Sequence, residues 1–114
     1  IESFKYVART RGVLKQVIIR QDSTIIRDLE TENKILTNSE TWDYLKGLVT
    51  DKDLEQLNLL KSPTEKRFSD QALSAQLVIQ TNNSEYLSSE FDDGYPPTEI
   101  KKLVEKITSF FNSK

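Results

Sequence analysis

Apolar residues recur at every second position near the start of the chain, and this period of two predicts β-strands. Phe4, Tyr6 and Ala8 show the pattern most clearly. Glycine readily adopts positive φ, so the glycine of "RTRG" predicts a hairpin turn, and the polar "QDS" at 21–23 predicts a second. The two turns therefore separate three antiparallel strands, and a fourth short strand is expected at 34–36.

A period of three to four residues marks the next segment as helical. Thr37 and Glu40 stand in capping-box spacing before an apolar stripe, which predicts a helix start there. A shorter second helix is expected after it, capped by Thr50, with Leu54 and Leu57 facing inward. The stripe of the first helix comprises Trp42, Leu45, Leu48 and Val49.

The last third of the chain predicts two strands and a helix. The strands flank Asn82 and Asn83, which tolerate the left-handed backbone of a tight hairpin. Pro97 suits the first position of the final helix, because proline lacks the N–H that would be unpaired there. The apolar stripe of this helix comprises Ile100, Leu103, Val104, Ile107, Phe110 and Phe111.

The order of predicted elements, βββ(β)α(α)ββα, groups strands in runs, as in α+β folds. We therefore expect an antiparallel sheet of about five or six strands, with two main helices packed on one face and the other face open. The 114 residues suit one domain, so 1–114 is read as a single compact unit.

Composition removes several kinds of chemistry. The chain has no histidine and no cysteine, which excludes Ser-His-Asp and Cys-His catalysis and the usual zinc ligands. An enzyme is therefore the less favoured reading, and no metal or cofactor is expected. The net charge of −2 argues against nucleic acid as a partner. No apolar run approaches the length of a membrane span.

The segment "KSPTEKRFSD" at 61–70 is dense in hydrogen-bonding groups. Lys66 and Arg67 suit a carboxylate or phosphate ligand, with Arg67 the better bidentate donor. The structural alternative, which we favour, has Arg67 pair with Asp70 or Glu65 and fix the loop against the sheet.

Basic residues on the predicted N-terminal strands suggest a second surface, with Phe4 and Tyr6 nearby as stacking groups for single-stranded nucleic acid. Strand parity weakens this reading, because both aromatic residues point to the side opposite Arg9. A solvated strand face is the favoured interpretation. The basic residues are Arg9, Arg11, Lys15, Arg20 and Arg27.

The succession "RTRG", "ETWDYL", "SPTEKR", "DQALSAQLVI" and "FDDGYPP" before "EIKKLVEKI" resembles a family of small exported or lipoprotein-type domains of uncharacterised function from Bacteroidetes-type bacteria. The resemblance implies a cell-envelope location, periplasmic or membrane-anchored. The chain begins at Ile1 and has no methionine, so we expect its natural start to have been removed, together with any signal segment or lipid anchor. The polar positions of a shared contact surface would be Arg11, Ser62, Thr64, Glu65, Lys66, Arg67, Asp70 and Asp92.

Together these observations favour a non-enzymatic envelope domain that binds a protein, peptide or glycan through the open sheet face or the 61–70 loop. The alternatives are a small carboxylate-dependent hydrolase, a ligand-sensing domain or a structural accessory subunit. A concave pocket with convergent ionisable groups of shifted pKa would favour catalysis.

Overall fold

The computed structural model describes residues 1–112, and its centre is an antiparallel sheet. The strands are β1 (Ser3–Thr10), β2 (Val13–Arg20), β3 (Ser23–Asp28), β4 (Glu32–Leu36), β5 (Ser74–Gln80), β6 (Glu85–Leu87) and β7 (Phe91–Asp92). They lie in the order β4-β3-β2-β1-β5-β6, and β7 also pairs with β5. The predicted α+β class with an antiparallel sheet is therefore confirmed.

In the described part of the chain, three α-helices accompany the sheet: α1 (Ser39–Gly47), α2 (Asp51–Gln56) and α3 (Lys101–Thr108). Within residues 1–112 no helix has both the length and the apolar character needed to cross a membrane. Short 3₁₀ turns lie at Leu57–Leu59, Lys66–Ser69, Thr98–Ile100 and Ser109–Asn112.

Register places the apolar residues of neighbouring strands on one side of the sheet, here called the inner face. Tyr6 lies opposite Val17 on β2 and Leu77 on β5, and all three are fully buried. Trp42 of α1 packs edge-on against Phe4, with ring centroids 5.6 Å apart. The first helix is therefore docked on the inner face, as predicted.

The C-terminal helix packs on the same side. Leu103, Val104 and Ile107 of α3 are buried, and the Phe111 ring lies 6.1 Å from the Tyr6 ring. Ile100 is buried in the preceding 3₁₀ turn. The expected apolar stripe therefore faces the sheet.

Two predicted helix starts are wrong in position. Asn38, not Thr37, caps α1, because its side chain accepts the Glu40 N–H at 2.7 Å; the Thr37 hydroxyl instead hydrogen-bonds Thr24 across the sheet edge. Pro97 has extended ψ and precedes a 3₁₀ turn, so α3 begins only at 101. The predicted cap at Thr50 is confirmed, and the structure adds that Thr50 and Asp53 form a capping box.

Candidate functional site

Asp92 organises the 61–70 segment from its buried position on β7. Its carboxylate accepts hydrogen bonds from the Thr64 hydroxyl, from Lys66 N at 2.6 Å and from Arg67 N at 3.0 Å. The Arg67 guanidinium adds an ion pair at 2.9 Å. Arg67 therefore pairs with Asp92 and not with Asp70 or Glu65, so the predicted partners are wrong.

The electrostatics of Asp92 agree with this geometry. Burial alone would raise the pKa of its carboxyl. The hydrogen bonds from Thr64, Arg67 and Lys66 stabilise the ionised form more strongly, and the pKa is lowered to about 2. Asp92 is therefore a permanent anion at neutral pH, and its charge is already neutralised by the loop that surrounds it.

The other predicted contact residues divide by position. Ser62 belongs to the Asp92 cluster, because its hydroxyl donates to the Thr64 carbonyl and lies near the Arg67 guanidinium. Glu65 and Asp70 are exposed on the same segment. Arg11 lies on the exposed β1–β2 turn, outside this network. The structure thus brings together Ser62, Thr64, Lys66, Arg67 and Asp92 as internal partners of one another.

The opposite side of the sheet, here called the outer face, carries a row of apolar side chains. Ile25, Ile18, Val78 and Leu87 lie in register on β3, β2, β5 and β6, with Lys5 of β1 in the middle of the row. The first three are half-buried and Leu87 is exposed. Because solvated strands normally place polar residues at such positions, this row is unusual.

Charged residues border the row. Arg27 is held in place by Gln16 and Glu32, whereas no other basic residue of this face takes part in an ion pair within residues 1–112. A depression of about 220 Å³ lies along part of the row, lined by Lys5, Val7, Arg9 and side chains of β5 and β6. The basic residues of the outer face are Lys5, Arg9, Arg20, Arg27 and Lys34, and the acidic ones are Glu32, Glu85 and Glu90.

Parity separates aromatic and basic residues as expected. Phe4 and Tyr6 are fully buried on the inner face, whereas Arg9 is on the outer face. Lys15 departs from the predicted basic surface, because it lies on the inner side and binds Asp93 at 2.7 Å. Stacking of bases on Phe4 or Tyr6 is therefore blocked in this structure.

A second cluster joins Tyr6, Lys15 and Asp93 near the end of α3. The Tyr6 hydroxyl donates to Asp93 at 2.6 Å, and the Lys15 ammonium lies 4.8 Å from the centre of the Phe111 ring. Burial, followed by the hydrogen bond and negative charge of Asp93, raises the pKa of Tyr6 above its ordinary value. Sequence reasoning missed this cluster, because Asp93 and Tyr6 are 87 positions apart and no local pattern relates them.

We expect Tyr6→Phe to lower the free energy of unfolding at pH 7 by about 1 kcal/mol, the usual contribution of one hydrogen bond. Because the folded-state pKa of Tyr6 is raised, its contribution is present below the unfolded pKa near 10 and is lost as pH rises further. Urea unfolding at pH 7 and at about pH 10.5 measures both effects. Tyr44→Phe, at an exposed tyrosine, is the control and should change neither; equal effects at both positions would contradict this assignment.

The chemistry available to these clusters is limited. Asp92 remains ionised and Tyr6 remains protonated around neutral pH, whereas a general acid or base needs a pKa near the working pH. Within residues 1–112 no group of three or more acidic side chains is placed to hold a metal ion.

Comparison of the chain with protein-family models, curated proteins and solved structures finds no significant match.

Proposed function

We propose that this protein is a non-enzymatic binding domain that contacts a partner protein through the outer face of its sheet. The observation that carries the proposal is the row of half-exposed apolar residues across four strands, interrupted and bordered by lysine and arginine. Apolar residues at the centre of a patch with charged residues at its rim are typical of protein interfaces.

The 61–70 segment is less suited to this role. Arg67, its best anion-binding group, is committed to Asp92, and the Lys66 ammonium lies 4.2 Å from the centre of the Tyr95 ring. A ligand at this segment would have to compete with a buried ion pair. The outer face requires no such exchange, because its lysines are not engaged in ion pairs within residues 1–112.

Charge indicates the chemistry of the partner. Among the residues that the structure describes, the outer face has five basic and three acidic side chains, although the whole chain has a net charge of −2. Positive charge is thus concentrated on this face. We propose a partner surface that combines acidic residues with exposed apolar ones, and an association rate that falls as salt is added.

We expect a photoreactive amino acid at Val7 to crosslink one protein partner in cells of the source organism. The reversal Lys5→Glu/Arg9→Glu should remove that product and weaken binding of the purified partner at least tenfold, about 1.4 kcal/mol. The control Lys52→Glu/Lys102→Glu, at exposed helix positions, makes the same charge change away from the outer face. It should leave the crosslinked product and the affinity for the purified partner unchanged.

The effect of each variant on crosslinking shows whether the partner binds the outer face or the helix side of the sheet. Crosslinking that survives the outer-face reversal but is lost in the helix-side variant would overturn the proposal. Thermal midpoints of all variants show whether each remains folded.

We further propose a cell-envelope location, which is supported only by the resemblance of sequence segments described above. Fractionation of source cells, with the untagged protein followed by antibody, tests it. Recovery in the cytosolic fraction alone would contradict the location and would leave the binding surface to be judged separately.

A further inference from the structure

Strand β4 forms one border of the sheet, and all five of its residues are exposed. It pairs with β3 from Ser23–Leu36 to Arg27–Glu32 without a skipped residue. The strand has no proline. Bulges and prolines are common devices that prevent a border strand from pairing with another chain, and this strand has neither.

The direction of its backbone groups follows from two hydrogen bonds that flank the strand. Asp28 N donates to Thr31 O at 3.0 Å, and Thr37 N donates to Asp22 O at 3.2 Å. Hydrogen-bonded residues alternate in antiparallel pairs, so odd-numbered residues of β4 bond to β3. The N–H and C=O groups of Glu32, Lys34 and Leu36 therefore point away from the sheet.

We propose that a second copy of this chain pairs antiparallel with β4, with Glu32 opposite Lys34 of the second copy. This register is centred on Asn33 and brings together residues whose backbone groups point outward. It also creates the Glu32–Lys34 pair twice, because the two copies are related by a twofold axis. Opposite charges directly across a strand pair stabilise it.

Side-chain direction supports the same pairing. Glu32 and Lys34 lie opposite Arg27 and Ile25 of β3, so both are on the outer face and can meet across the new border. In the alternative register centred on Lys34, this lysine would lie opposite Lys34 of the second copy, and like charges directly opposite each other are unfavourable. The dimer joins the two sheets into one and makes the two outer faces continuous. The paired segment is short, so we expect a weak, concentration-dependent association.

Sedimentation equilibrium of the purified chain, from micromolar to about 1 mM, tests the pairing. Glu32→Lys and Lys34→Glu should each weaken self-association roughly tenfold, because each converts both pairs into like charges. The double reversal should restore it. An equimolar mixture of the two single variants should associate more tightly than either alone, since only the mixed pair regains opposite charges.

Lys34→Pro provides a second test. It removes an outward N–H without removing a β3–β4 hydrogen bond, so the monomer should keep its thermal midpoint and lose self-association. Lys5→Glu/Arg9→Glu should still dimerise, which separates this pairing from binding at the outer face. A chain that stays monomeric to 1 mM, a mixture without rescue or a dimer that persists in Lys34→Pro would each overturn the proposal.

Discussion

Asp92→Ala is expected to lower the free energy of unfolding at pH 7 by about 3–5 kcal/mol, the cost of breaking a buried ion pair. The substitution leaves the Arg67 guanidinium, whose side chain is 15% exposed, without its counter-charge. It also leaves Lys66 N and Arg67 N without their acceptor. Urea unfolding measures the loss, and Glu65→Ala on the same segment should change stability by less than about 0.5 kcal/mol.

The contribution of Asp92 to the free energy of unfolding also depends on pH, and it decreases as the pH falls. Its folded-state pKa is lowered to about 2, so its stabilisation is present above the unfolded pKa near 4 and is lost as pH falls toward 2. The stability difference between wild type and Asp92→Ala should therefore shrink between about pH 4 and pH 2. Arg67→Ala should show the same trend. A large loss of binding with unchanged stability in Arg67→Ala would instead assign this segment to ligand contact.

Phe4→Ala is expected to lower the free energy of unfolding by about 3–5 kcal/mol, as is usual for a buried aromatic residue. Phe4 is fully buried and its ring contacts Trp42 edge-on, so the substitution leaves a cavity between the sheet and α1. Chemical denaturation at pH 7 gives the difference directly.

Lys5→Ala is the matched control for the two faces. Lys5 is the next residue on the same strand and is only half-buried on the outer face. Its substitution should change the free energy of unfolding by less than about 0.5 kcal/mol. Comparable losses at both positions would show that the outer face is covered in solution, and would contradict the open face on which the proposed function rests.

Local patterns predicted most of the fold, because strand and helix periods depend on neighbouring residues. The alternation from Phe4 to Ala8 identified the inner face, and the stripe from Ile100 to Ile107 identified the side of α3 that is buried. The order of the strands in the sheet was not predictable from these local patterns. The pairing of β1 with β5 joins segments separated by more than sixty residues, and no local period specifies it.

The site residues show the same limit. Polar density pointed to 61–70, but its role depends on Asp92, which contacts Arg67 from 25 positions away. The short strand β7 and the 3₁₀ turn at Lys66–Ser69 were not predicted, since two to four residues carry little periodic information. Parity could have shown which side chains of a strand lie on the outer face, since Lys5 alternates with the core residues Phe4 and Tyr6. The alignment of these side chains into a row depends on strand order, which parity does not give.

The position of β1 has a consequence for biosynthesis. This first strand becomes an interior strand of the sheet only when β5, at residues 74–80, pairs with it. Until the ribosome has released that later segment, β1 is an additional unpaired border of the nascent meander of β1 to β4. Unpaired strand borders promote aggregation of partly folded chains, so this interval is when the emerging polypeptide most needs a chaperone.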